Sequence, residues 1–313
     1  MLVRSLGYLR WRSPDVSAWA TFATQILGMM HARTDAGGGL YFRMDDEPYR
    51  LAVVPGAEPG IDALGFQVSD SAKLDEITVM LDRVGIAWSG GTEAECADRR
   101  VGELVRCDDP AGVPIEFYCA PITDHTRLVT PYVDGFIAGA LGFGHVVLTT
   151  TDMAASAGFY RDVLGFQLRN TATLPSPNGA PSRTVQFYGC NPRHHSVALV
   201  EFKDPGILRH FMVEMTTLDD VGAAIDRCQD NGVTIRETLG RHTNDLMASF
   251  YVAAPDGTNV EIGFGAQQVD SSTWAVHEIT APSLWGHRPV PAPPPVPEVA
   301  AEPHRDPATA VRS

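Results

Sequence analysis

Gly144-His145-Val146-Val147-Leu148 is a short β-branched and aliphatic run with one imidazole at its mouth. Folded as a strand, it alternates its side chains, so His145 and Val147 share one face while Val146 and Leu148 fill the other. A histidine on an apolar strand is ordinarily packed or hydrogen-bonded in a core, and alone it carries little. The arrangement recurs, however. His210-Phe211-Met212-Val213-Glu214 again opens an apolar strand with an imidazole, and Val260-Glu261-Ile262-Gly263-Phe264 sets a lone carboxylate among apolar neighbours. Two imidazoles and one carboxylate on three strands form the ligand set of a facial-triad iron site.

Around that stretch the chain is duplicated. Leu6-Gly7-Tyr8-Leu9-Arg10-Trp11 reads as a strand, Ser13-Pro14-Asp15 supplies N-cap chemistry, and the following helix ends at Gly28. With identical spacing, Gly144 to Leu148 leads through Thr151-Asp152 into a helix from Met153 to Leu164 that stops at Gly165. A second helix pair, Lys73 to Val84 before Gly85 and Asp219 to Asn231 before Gly232, sets Ala63 against His210. Asp109-Pro110-Ala111-Gly112 matches Ala254-Pro255-Asp256-Gly257, each turn feeding a last strand that carries Glu116 or Glu261. Within each half, the order strand, helix, then strands appears twice. The predicted fold is therefore α+β, with four βαβββ modules paired into two domains over residues 1–133 and 134–288. Tyr8 stands where His145 does, so one metal site per chain is expected, in the C-terminal domain. Residues 289–313, including Pro291-Ala292-Pro293-Pro294-Pro295-Val296-Pro297, are too rich in Pro, Ala and charge to pack, and a disordered tail is expected there.

Composition narrows the classes of function. The formal net charge of −14 on 313 residues repels phosphate backbones and anionic lipid, so neither nucleic acid nor membrane is an expected partner. No apolar stretch is long enough for a bilayer, and Arg4, Arg10 and Arg12 interrupt the start, so a cytoplasmic location is expected. Cys96, Cys107, Cys119, Cys190 and Cys228 are widely spaced without a C-x-x-C pair and read as reduced, buried thiols.

Three further polar residues stand out. His195 immediately precedes an apolar strand, His242 lies in the polar run Gly240-Arg241-His242-Thr243-Asn244-Asp245, and Tyr251 opens the next strand. Loop histidines are commonly solvated, but near a metal a neutral imidazole and a phenol supply the proton donors and acceptors that oxygen chemistry needs. Glu201 and Glu214 are rival carboxylates; Glu214 shares a strand face with His210 and could support the ligands from behind.

Taken with Asn191-Pro192-Arg193-His194-His195-Ser196, Ser249-Phe250-Tyr251 and Ser283-Leu284-Trp285-Gly286-His287, these motifs resemble the type I extradiol ring-cleavage dioxygenases of the vicinal oxygen chelate superfamily, whose domains are glyoxalase/bleomycin-resistance-like. The resemblance covers roughly residues 1–288. It implies that His145, His210 and Glu261 bind Fe(II), or Mn(II) as in some relatives, leaving positions open for a catechol and dioxygen. It further implies that Tyr251 orients and deprotonates a catechol hydroxyl, that His195 acts as acid or base on the reduced oxygen, and that His242 hydrogen-bonds the substrate. Both oxygen atoms enter the product, and the ring opens beside the two hydroxyls. The motifs are most similar to those of enzymes that cleave biphenyl-2,3-diol in aromatic-hydrocarbon catabolism, or alternatively a seco-steroid catechol. Val147, Phe187, Ala198, Phe202 and Pro282 are then candidate apolar walls, with Asn244 and Asp245 as polar substrate contacts; the apolar ones read equally as strand core. Members of the family form homo-oligomers. A non-catalytic binder of aromatic ligands on the same fold would have no need of His195, His242 and Tyr251, and a glyoxalase-type lyase uses a different ligand arrangement.

Overall fold

The computed structural model describes residues 2–174 and 182–291. Among these, the N-terminal half forms an eight-stranded sheet from β1 (Val3–Ser13), β2 (Met30–Thr34), β3 (Leu40–Arg43), β4 (Leu51–Pro55), β5 (Gly60–Val68), β6 (Trp88–Gly90), β7 (Glu103–Asp108) and β8 (Pro114–Cys119). Its order is β2-β3-β4-β1-β5-β8-β7-β6, and it carries helices α1 (Val16–Thr21), α2 (Ser71–Val84) and α3 (Glu93–Arg99). The C-terminal half forms a ten-stranded sheet from β9 (His145–Thr150), β10 (Gln167–Leu174), β11 (Arg183–Gly189), β12 (Val197–Glu201), β13 (Leu208–Met215), β14 (Ile235–His242), β15 (Ala248–Ala253), β16 (Asn259–Phe264), β17 (His277–Ile279) and β18 (Ser283–Trp285). That order is β17-β10-β11-β12-β9-β13-β16-β15-β14-β18, with helices α4 (Met153–Gly158) and α5 (Leu218–Asp230).

Each sheet is two modules joined along their first strands. β1 and β5 pair antiparallel, as do β9 and β13, while β1·β4, β5·β8, β12·β9 and β13·β16 are parallel. The repeat seen in sequence is reproduced in local detail. Asp15 and Asp152 cap α1 and α4 by accepting from Ala18 N and Ala155 N, each at 3.0 Å. Both helices widen into a π turn, Phe22–Ile26 and Phe159–Val163, and both exit through a glycine at φ +77, Gly28 and Gly165.

One face of each sheet is apolar and packs on helices; the two helical layers share a core. Val146, Leu148, Phe211, Val213, Val260 and Ile262 join Val221, Ala224 and Cys228 of α5, and the same cluster continues into Leu6, Leu9, Trp19 and Phe66 of the other half. Paired polar contacts seal the seam. The Trp11 and Trp19 indoles donate to Asp256 Oδ2 at 2.8 and 3.0 Å, while the Tyr160 hydroxyl donates to Asp109 Oδ2 at 3.0 Å.

Four features depart from the expected element list. Helix α3 arises from a capping box, Thr92 with Glu95, a T-x-x-E signal present in the sequence. Strand β10 fills the first C-terminal module, and β17 and β18 extend the sheet at both edges. The tail expected to be disordered from residue 289 instead begins ordered: Pro289 bridges Glu237 and Val290 N donates to Arg236 O at 2.8 Å. Residues 292–313 of that tail lie outside the described residues. All five cysteines are free, and no helix among the described residues is long and apolar enough to cross a membrane.

Candidate metal centre and active site

Strand register gathers the site. Met212 on β13 is paired with His145 on one side and with Glu261 on the other, and Tyr251 is paired with Glu261. Cross-strand partners project from the same face, so His145, Glu261 and Tyr251 stand in one row. A neighbouring row runs from Asn170 through Phe187, Ala198 and Val147 to His210. These two rows lie opposite the helix-covered face.

Three donor atoms converge there. His145 Nε2 is 3.1 Å from Glu261 Oε2 and 3.2 Å from His210 Nε2, and His210 Nε2 is 3.3 Å from Glu261 Oε2. Bonds of about 2.1 Å to an octahedral ion place neighbouring donors about 3 Å apart, so this triangle has the size of one octahedral face. Two imidazole nitrogens facing each other across a carboxylate oxygen suit a shared cation better than a hydrogen bond. Burial, countered by Glu261, lowers His145 to about 4, so its imidazole is a neutral lone-pair donor. Burial would raise Glu261, yet His242, His145 and His210 together hold it ionised, well below the usual carboxylate range. The residues present therefore fit a divalent metal. A second set, His145, His195 and Asp245, is looser, with 3.9 Å between His195 Nδ1 and Asp245 Oδ2.

The carboxylate is fixed from behind. Glu261 Oε1 accepts from Ser249 Oγ at 2.6 Å and lies 3.0 Å from His242 Nε2. His242 is turned by the Pro282 carbonyl, 3.1 Å from Nδ1, and stacks on His287 with ring centroids 4.0 Å apart. Burial pulls His242 down, but the Glu261 charge outweighs it and holds the ring at about 9. The Tyr251 hydroxyl is 2.9 Å from His242 Nε2, and burial followed by the Glu261 charge keeps it protonated well above its ordinary range. His145 Nδ1 has no partner among the described residues. Its ring is oriented by packing, stacked on His195 at 4.0 Å and edge-on to His210 at 5.4 Å.

The remaining candidates divide. Val147, Phe187 and Ala198 form an apolar cluster with Val185, Val200 and Ile279 beside the donor triangle. Phe202 sits apart, under the guanidinium groups of Arg183 and Arg209. Pro282 is exposed and acts through its carbonyl instead of as an apolar wall. Asn244 and Asp245 are buried; burial raises Asp245 to about 6. Glu214 turns away from the triangle to pair with Arg193 and Ala266 N, while Glu201 is exposed at the end of β12.

The other half shows the same register with different chemistry. Tyr8, Gly65 and Glu116 are cross-strand partners as His145, Met212 and Glu261 are. Glu116 there accepts from Tyr8 Oη at 2.6 Å and from Arg99 Nη2 at 2.7 Å, so a guanidinium serves as its counter-ion. A cleft of about 490 Å³ beside it is lined by Asp62, Ala63, Arg99, Arg106 and Glu116.

The Glyoxalase/Bleomycin resistance protein/Dioxygenase superfamily model matches residues 142–262, and the Dihydroxybiphenyl dioxygenase BphC D1 model matches residues 6–56. An iron-dependent extradiol dioxygenase of Rhodococcus jostii (strain RHA1) is 42% identical over 292 residues, covering 92% of this chain and 97% of that protein. The chain belongs to the extradiol dioxygenases. A biphenyl-2,3-diol 1,2-dioxygenase of Metapseudomonas furukawaii is 41% identical, covering 93% and 95% of the two chains. Among solved structures, a halotolerant catechol dioxygenase superposes with a TM-score of 0.85 at 32% identity, covering 92% of this chain and 95% of the other. This extradiol dioxygenase is thus an enzyme of the vicinal oxygen chelate fold, and its family takes a catechol and dioxygen at a non-haem metal.

Sequence reasoning gave no role to three residues that the dioxygenase brings to the site: Ser249, His194 and His287. Ser249 has the same strand parity as Tyr251, a signal open to inspection. His287 takes its meaning from contacts across strands, and His194 from its bonds to Asn170 and to its neighbour His195.

Proposed function

We propose that this dioxygenase opens a bulky catechol of the biphenyl-2,3-diol type beside its two hydroxyls, with both oxygen atoms of dioxygen entering the product. The supporting observation is the triangle of His145 Nε2, His210 Nε2 and Glu261 Oε2, with sides of 3.1 to 3.3 Å. These residues would hold Fe(II), with Mn(II) as the alternative of the same charge. When bound, the metal would bring catechol and dioxygen together and lower the pKa of the coordinated hydroxyl.

The protein's own groups divide the remaining work. Tyr251 and His242, a phenol and a ring held protonated by Glu261, lie 2.9 Å apart and would face the substrate hydroxyls. His195, stacked on His145, would carry the proton that leaves and returns. Val147, Phe187 and Ala198 would flank the ring, and an aryl substituent gains from that apolar surface where a bare catechol does not.

Anaerobically purified protein should contain about one iron per chain, and its kcat/KM at saturating oxygen should be higher for biphenyl-2,3-diol than for 3-methylcatechol or catechol. Preference for plain catechol would remove the bulky-substrate reading. Iron-loaded protein that binds catechols without consuming oxygen would remove the catalytic one.

A further inference from the structure

Asn170, His194 and His195 form a line of buried polar groups whose donor and acceptor roles are fixed from one end. Asn170 Nδ2 is 3.1 Å from the His277 carbonyl oxygen. A carbonyl only accepts, so the amide nitrogen must face it and Oδ1 must face the other way. Asn170 Oδ1 is 2.6 Å from His194 Nε2, which requires a hydrogen on that nitrogen. Burial, followed by the charge of Arg169, lowers His194 to about 3, so the ring is neutral and has no second hydrogen. Its Nδ1 is therefore a lone pair. That lone pair lies 3.1 Å from His195 Nδ1, which must supply the hydrogen between them. Asp245 Oδ2, the other acceptor near this nitrogen, is 3.9 Å away and beyond hydrogen-bond reach.

We propose that Asn170 and His194 are positioning residues that hold His195 in its Nδ1–H tautomer, so that the proton His195 exchanges in the reaction is carried on Nε2. The inference rests on the reading of His195 as the proton-transfer group. With Nδ1–H retained throughout, a hydroxyl gives its proton to the Nε2 lone pair and keeps the electron pair of the broken O–H bond. Return of that proton restores the same neutral tautomer. Without the His194 acceptor, His195 is free to place its single hydrogen on Nε2, where it has no lone pair to offer.

Neutron diffraction from deuterium-exchanged crystals of the holoenzyme reads the arrangement directly. Deuterium is expected on His194 Nε2 and His195 Nδ1, and deuterium on His194 Nδ1 would overturn the assignment. His194 packs edge-to-face on Phe187 and Trp274, so His194→Phe keeps a ring there while removing both the donor to Asn170 Oδ1 and the acceptor for His195. That variant should lose about tenfold or more in kcat with KM within about twofold. His194→Gln can donate to Asn170 and accept from His195, and should recover to within about threefold of the parent. Unchanged kcat in the Phe variant, or equal losses in both, would end the positioning role. His195→Ala tests the underlying reading on its own: full turnover there would remove His195 from proton transfer whatever the neutron map shows.

Discussion

Glu261 is asked to do two things, and its two oxygens divide them. Oε2 faces the imidazole pair, while Oε1 is tied to Ser249 and His242. Groups that fix a ligand from behind typically contribute about 10–100-fold in metal affinity. Ser249→Ala should therefore weaken iron binding by about that factor with little change in melting temperature, measured by competition with a chelator. Undiminished affinity would show that Oε1 needs no anchor. His145→Ala should be harsher, abolishing both iron retention and ring cleavage, because it removes a corner of the triangle; normal turnover would refute the ligand assignment. At this scale the donors were legible because an imidazole opening an apolar run is conspicuous. Ser249 was not, since a small hydroxyl on a strand is unremarkable until the register puts it 2.6 Å from a carboxylate.

Strand β9 can deliver His145 only if it approaches β13 closely. Gly144 has φ +148, and a Cβ there would lie 2.0 Å from the Met212 carbonyl oxygen. Gly144→Ala must push β9 away from β13 or twist the backbone, at a cost of about 1–3 kcal/mol. The expected result is a lower melting temperature together with lost iron, seen by circular dichroism and metal analysis. A variant that melts and binds iron normally would show that the approach is not needed. The duplicated strand and helix patterns were readable because caps and glycine stops recur at fixed spacing. Strands β10, β17 and β18 were not, because β17 and β18 are short edge pieces and β10 mixes polar with apolar residues. β17 and β18 take their places from partners distant in sequence, whereas β10 pairs mainly with β11, the next strand in the chain.

Across the whole molecule, a buried ion pair ties the N-terminal sheet to the segment between the halves. Arg50 contacts Asp45 at 2.5 Å and also donates to Gly7 O and Gly139 O, while Asp45 Oδ2 accepts from Gly139 N. Burial pushes Asp45 up, but Arg50 and the amides of Gly139 and Glu47 outweigh it and leave the carboxyl below its usual value. A folded-state pKa below the unfolded one stabilises the fold above the unfolded value, and that contribution is lost as pH falls through the folded one. Parent protein should exceed Asp45→Asn in urea midpoint at pH 7, and the gap should close as pH drops below about 4. A gap that is constant with pH would assign the effect to shape instead of charge.

Because Trp11 and Trp19 reach across the seam to Asp256, and Tyr160 reaches back to Asp109, neither half is a portable unit. A chimera that imports only the catalytic half from a relative would inherit one side of each handshake without the other. Recombination points within this family should therefore be chosen by which indoles and carboxylates travel together, and a poorly matched hybrid would fail in solubility before it failed in chemistry.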